Sequence, residues 1–175
     1  MHKKPLFVKL VIIILFGAGF TIAVDCADII TGKQISITSG LKVFTIIYMA
    51  LISVLSFVAG IGMWRGKKWG WWLGAFLYMY AVLWTIKSLI YLPWLFGYFV
   101  KPHNRNVYYY IKHGINLVVR VLIFIYFFKG SVTEYFVLQQ QSKIKTLIIL
   151  FVLGLIVVVG CYLFLYYYRS GTVPR

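Results

Sequence analysis

The chain has 175 residues, 62% of them hydrophobic, and a formal charge of +15 from 18 Lys and Arg against 3 Asp and Glu. A soluble domain of this size cannot hide so much apolar surface, and a mean hydropathy of +0.90 makes lipid the fitting solvent. The basic residues fall in short segments between apolar runs and not on a polar face, which argues against nucleic acid and for a positive-inside bias with contact to anionic lipid headgroups.

At about 1.5 Å per residue, roughly 20 apolar residues cross a hydrocarbon core of about 30 Å. The first such run covers 6–24. It follows His2-Lys3-Lys4 as a signal peptide would, but Asp25 stands before Cys26, where a lipoprotein signal needs a small residue, so an uncleaved helix is expected. Asp25 to Gly40 reads as a polar turn. The second run, 41–64, ends at the basic turn Arg65-Gly66-Lys67-Lys68. The third, 69–92, is expected to kink or end at Pro93, with Pro93 to Tyr98 in the aromatic-rich interface. A polar loop, Lys101 to Asn106, leads to the fourth run, 107–128, which is the least apolar. Lys129 to Lys145 is polar around a small apolar island, Tyr135 to Leu138, and suggests a short amphipathic helix on the membrane surface. The fifth run, 146–168, closes on the interface anchor Tyr166-Tyr167-Tyr168-Arg169. Residues 171–175 resemble the stub of a protease-cleaved tag and are set apart from function.

The expected fold is therefore an all-α integral membrane protein, a compact bundle of about five transmembrane helices with short loops and a single domain over 1–170. The basic turns favour a bacterial-type cytoplasmic membrane with the N-terminus cytoplasmic and the C-terminus outside. An odd number of spans disfavours a simple inverted repeat.

The densest motif is Gly60 to Gly74, which combines glycines, four Trp residues and the cations Arg65, Lys67 and Lys68. It reads as a topogenic hairpin. The Trp rings lie at headgroup level, the cations contact headgroups, and Gly70 and Gly74 form a small-xxx-small pattern for close helix approach. The turn resembles hairpins common in small bacterial multi-pass proteins.

Charge inside the spans is the second signal. Lys87 lies in the third run, and Lys112, His113 and Arg120 in the fourth. Such groups are costly in lipid and face protein or a water-filled cavity. Tyr80, Trp84, Lys87 and Tyr91 share one helical face, as do Tyr109, His113, Asn116 and Arg120. From the inner boundary, Lys87 is about 24 Å away, His113 about 22 Å and Arg120 about 12 Å. Three readings stand for the lysines: ion pairs of Lys87 and Lys112 with Asp25 and Asp28, snorkelling to headgroups, or a cationic pocket for an anionic ligand or lipid phosphate. Arg120 is deep and has no acid within reach by sequence.

The rest of the inventory excludes more than it supports. Cys26 and Cys161 form no Cys-x-x-Cys pair; two inert thiols are the leading reading and a disulfide the other. One intramembrane His argues against haem and against a metal site. With three acids, no base-and-orienter set for hydrolysis is evident, and no phosphate-cradling glycine loop precedes a Lys-Ser/Thr pair. No cofactor is expected. The leading functional expectation is a non-catalytic subunit or assembly partner of a membrane complex, or a homo-oligomer, in contact with anionic lipid. The alternative is a small transporter, channel or flippase for an anionic or amphipathic substrate, built on a cationic-aromatic pocket of Trp84, Lys87, Tyr91, His113, Asn116 and Arg120. A lipid-active enzyme ranks last.

Overall fold

The computed structural model describes residues 5–31, 39–99, 104–138 and 142–171, with side chains for 5–31, 43–90, 108, 110–138 and 142–164. Every regular element among them is a helix: α1 (Leu6–Ile30), α2 (Ser39–Trp64), α3 (Lys68–Phe99), α4 (Asn104–Phe127), the short α5 (Gly130–Tyr135) and α6 (Lys143–Gly171). All but α5 contain a stretch long and apolar enough to cross a bilayer. Helix is the only open-chain solution there, because each crossing has to satisfy its own amides without water.

Three boundaries differ from the sequence reading. Asp25 to Ile30 is the last part of α1 and not a turn; Thr31 ends the helix, its hydroxyl donating to Ala27 O at 3.0 Å. The expected turn at 32–38 lies outside the described residues. Pro93 does not end α3, which runs on to Phe99. Membrane helices tolerate an interior proline because neighbouring groups or small backbone adjustments re-satisfy the carbonyl it frees. The segment after Lys129 is not a helix lying on the membrane surface. Val132, Phe136 and Leu138 are buried in the main core, so α5 closes one end of the bundle.

The core is strongly polarised along the bundle axis. Its most buried members are Val8, Val11 and Ile12 of α1, Ala59 and Met63 of α2, Trp71 and Ala75 of α3, Phe127 of α4, and Phe136 just after α5. Successive spans run antiparallel, so all of these lie at one end, which also carries the α2–α3 turn. This closed end is sealed by aromatic contacts, Trp71 against Phe127 and Phe128 and Phe7 of α1 against Tyr126 of α4. Towards the other, open end the core cluster thins out, though Cys26 and Ile29 of α1 are still buried there.

Two glycine positions make the closed end possible. At the α2–α3 turn, Lys67 N donates to Gly62 O at 2.9 Å and Gly66 N to Met63 O at 3.0 Å, with Gly66 at φ +65°. This is a Schellman cap, which favours glycine in the left-handed conformation. One turn back, Gly62 meets Gly70 backbone to backbone: a Cβ on Gly70 would overlap the Gly62 carbonyl carbon and Met63 N. The close approach thus pairs Gly70 with Gly62, while Gly74 faces Met63 and Phe127. Around this hairpin α1 packs on α2, and α4 and α6 each pack on α3.

Candidate functional site

Just above the dry core, four helices line a cavity of about 500 Å³. α1 contributes Ile14, Leu15, Ala18 and Ile22, and α2 contributes Tyr48, Met49, Ile52 and Ser56. From α3 come Leu77, Tyr78, Tyr80, Ala81 and Trp84, and from α4 Asn116, Val119, Arg120 and Ile123. The walls are mostly apolar, and Arg120 is the one charged residue among them.

Arg120 bonds within the protein. Its Nη1 donates to Ala81 O at 2.9 Å and to Thr85 Oγ1, while Thr85 Oγ1 itself donates to Ala81 O at 2.7 Å. Three consecutive contacts on one face of α3 (78, 81 and 85) therefore meet α4. Ala81 lies twelve residues beyond Trp69, about 18 Å along the axis, near the middle of a core of about 30 Å. The backbone of Arg120 is nearer the closed end. Helical side chains lean towards their own N-terminus, which for α4 is the open end, so the guanidinium reaches the midplane.

Tyr78 and Tyr80 are 7% and 6% exposed, and neither hydroxyl has a hydrogen-bond partner among the described residues. A buried unpaired hydroxyl costs about 1–3 kcal/mol. The two rings diverge around α3, Tyr78 packing against Phe127 and Tyr80 against Trp84. Tyr48 completes the wall, its ring 6.1 Å from Trp84 and 6.5 Å from Tyr80.

Lys87 is not part of this cavity. Its Nζ lies 4.2 Å from the centroid of Trp84 and 5.5 Å from that of Tyr162 on α6. At 100° per residue Lys87 sits about 200° around α3 from Thr85, so the two cations occupy different faces. The expectation of one pocket holding both Lys87 and Arg120 is corrected accordingly. The expected ion pairs are also absent: among the described residues neither Asp25 nor Asp28 pairs with Lys87 or Lys112. The reason is packing, since α1 lies chiefly against α2 and both acids are on its open-end turns, away from α3. Trp84 and Asn116 line the cavity as expected, whereas His113 is half-buried on α4 outside it. The side chain of Tyr91 lies outside those described.

At the closed end, Arg65, Lys67 and Lys68 are exposed on the α2–α3 turn. Trp64 and Trp69 are 56% and 47% exposed, as interfacial rings would be. Trp71 differs from the headgroup role expected of it: it is 1% exposed, and its Nε1 donates to Phe127 O at 3.1 Å, one of the end carbonyls α4 cannot satisfy itself. Cys26 and Cys161 are free thiols, Cys26 donating to Ile46 O at 3.6 Å. No cluster of metal-ligating side chains occurs among the described residues.

The architecture defines a polytopic helical membrane protein. A family model, "Predicted membrane protein (DUF2127)", matches residues 17–104, half of the chain, and the protein belongs to that family. The match takes in Tyr48, Tyr78, Tyr80, Ala81, Trp84 and Thr85 and stops before Arg120. No curated protein and no solved structure matches the chain.

Proposed function

We propose that this protein binds an amphipathic anion inside the bilayer and serves as a small carrier for it. One observation carries the reading: a midplane guanidinium lines a largely apolar cavity of about 500 Å³ walled by Tyr48, Tyr78 and Tyr80. A charge at that depth is costly, and intramembrane ionisable residues facing a cavity are marks of substrate or ion pathways. The chain supplies no acid to Arg120 among the described residues, so an anionic ligand would neutralise it. In this reading the membrane is a cytoplasmic one, with Arg65, Lys67 and Lys68 against its anionic headgroups. No catalytic step is assigned.

The test is native mass spectrometry of protein purified in mild detergent. Wild type is expected to retain an anionic amphiphile that Arg120→Ala releases. Affinity should fall by about thirtyfold or more, the low end of the about 2–5 kcal/mol lost when one partner of a buried charge pair is removed. Equal retention by folded Arg120→Ala would remove the reading.

A second reading, assembly into a membrane complex, draws on α6, which packs on α3 and is exposed along Ile148, Val152, Ile156 and Val159. Recovery of a fixed-stoichiometry complex supports it, and a clean monomer counts against it.

A further inference from the structure

We infer that a second site, at the closed end, holds the phosphate–ammonium headgroup of a zwitterionic phospholipid between α5 and the first turn of α6. The site is separate from the Arg120 cavity and goes beyond the carrier reading.

The site is a cleft of about 280 Å³ walled by Trp71 of α3, Phe128 just after α4, Thr133 and Glu134 of α5, and Lys143 and Thr146 of α6. It lies at headgroup depth. Trp71 is two residues, about 3 Å, beyond Trp69, whose ring is exposed as an interfacial one would be. One cation and one acid line it, Lys143 and Glu134, and neither has an ion-pair partner among the described residues. Of the three acids in the chain, Asp25 and Asp28 belong to the open-end turns of α1, so Glu134 is the acid of the basic, closed end.

Positive potential gathers on the α6 side. Lys143 and Lys145 occupy the first turn, where the helix dipole is also positive, and no acid stands there to offset them. The N–H groups of a first helical turn lack intrahelical acceptors and suit a phosphate. Thr146 is an independent sign of a ligand. It is 5% exposed, it lines the cleft, and its hydroxyl has no hydrogen-bond partner among the described residues. A phosphate oxygen would supply the missing acceptor.

Acceptors gather on the α5 side. The Thr133 hydroxyl donates its proton to Gly130 O at 3.0 Å and keeps its lone pairs for a donor, with the Glu134 carboxylate beside it. Donors on one wall and acceptors on the other fit a dipolar head, phosphate towards α6 and ammonium towards α5. A purely anionic head would meet Glu134 as a like charge. Below the cleft, Lys143, Leu147 and Phe151 follow one another at helical spacing, and the last two are exposed. They give the acyl chains an apolar track into the bilayer, which a soluble zwitterion would not use.

The experiment titrates delipidated protein in detergent with phosphatidylethanolamine, with phosphatidylglycerol of the same acyl chains, and with water-soluble glycerophosphoethanolamine, read by native mass spectrometry. One phosphatidylethanolamine per chain is expected, held about threefold or more tightly than phosphatidylglycerol, the modest margin of a part-exposed charge pair. Glu134→Gln should abolish that preference. Thr146→Val keeps the shape and removes the hydroxyl. It should weaken phosphatidylethanolamine about tenfold while the delipidated protein unfolds at the same or a higher temperature, two effects that a packing role for Thr146 would not combine. Phosphatidylglycerol binding as tightly in wild type, or a preference that survives Glu134→Gln, overturns the zwitterionic head. Glycerophosphoethanolamine binding as tightly as the lipid overturns the lipid. None of these outcomes touches the Arg120 cavity, so the carrier reading stands or falls on its own test.

Discussion

Thr85 is the residue on which Arg120 depends. Its hydroxyl donates to Ala81 O and accepts from Nη1, so one side chain both positions the guanidinium and shares its carbonyl. Thr85→Val keeps the shape and leaves a cation short of an acceptor in a dry place. It is expected to destabilise by about 1–3 kcal/mol, read as a lower midpoint of thermal unfolding in detergent. Arg120 itself was legible in the sequence, because a cation deep in an apolar run is conspicuous. Its partners were not. Ala81 offers a backbone carbonyl, which every residue carries, and Thr85 looks like any helix-facing hydroxyl. Tyr78 lies off the aromatic face defined by Tyr80 and Trp84. The spacing 78, 81, 85 would single them out only once α4 is known to lie against that side of α3. Trp71 was misjudged for a related reason: in a run of interfacial tryptophans, periodicity does not reveal which ring turns inward to cap Phe127.

Among the elements, the ends of α2 and α5 use the same cap with different residues. After α5, Leu138 N donates to Thr133 O at 2.8 Å and Val137 N to Glu134 O at 3.0 Å, the pattern seen around Gly66, but the left-handed position is Val137 at φ +56°. A β-branched residue there is strained, whereas glycine is not. Val137 is 70% exposed, so its side chain contributes little packing. Val137→Gly is therefore expected to stabilise the protein by about 1 kcal/mol, measured by thermal unfolding. Gly70→Ala should act in the opposite sense, because its methyl would collide with the α2 backbone; a lowered yield of folded protein in detergent is the readout. The five long helices and most of their limits could be read from apolar run length, since the bilayer fixes it. The extension of α3 past Pro93 and the burial of α5 could not. Both depend on what neighbouring segments cover, which hydropathy along one chain does not record.

For the molecule as a whole, the polarised core predicts polarised dynamics. Amide hydrogen exchange should be slowest around Ala59 to Met63 and Trp71 to Met79 and faster in the open-end halves of the same helices, because few buried contacts hold those halves. Uniform protection along α2 and α3 would contradict this. Topology offers a separate check. With Cys26 and Cys161 replaced by Ala, Lys67→Cys and Asn104→Cys should react with a membrane-impermeant thiol reagent from opposite faces of sealed vesicles, since α3 spans between them.

The α2–α3 connection has a consequence for biogenesis. Only Arg65, Gly66 and Lys67 separate the two helices, and the cap locks even these. Such a link has no slack with which one helix could settle in the bilayer while the other waits at the translocon. The pair must partition as a preformed hairpin, so an error in the placement of one is an error in both, and the basic tip acts as a single tether deciding which way the hairpin points.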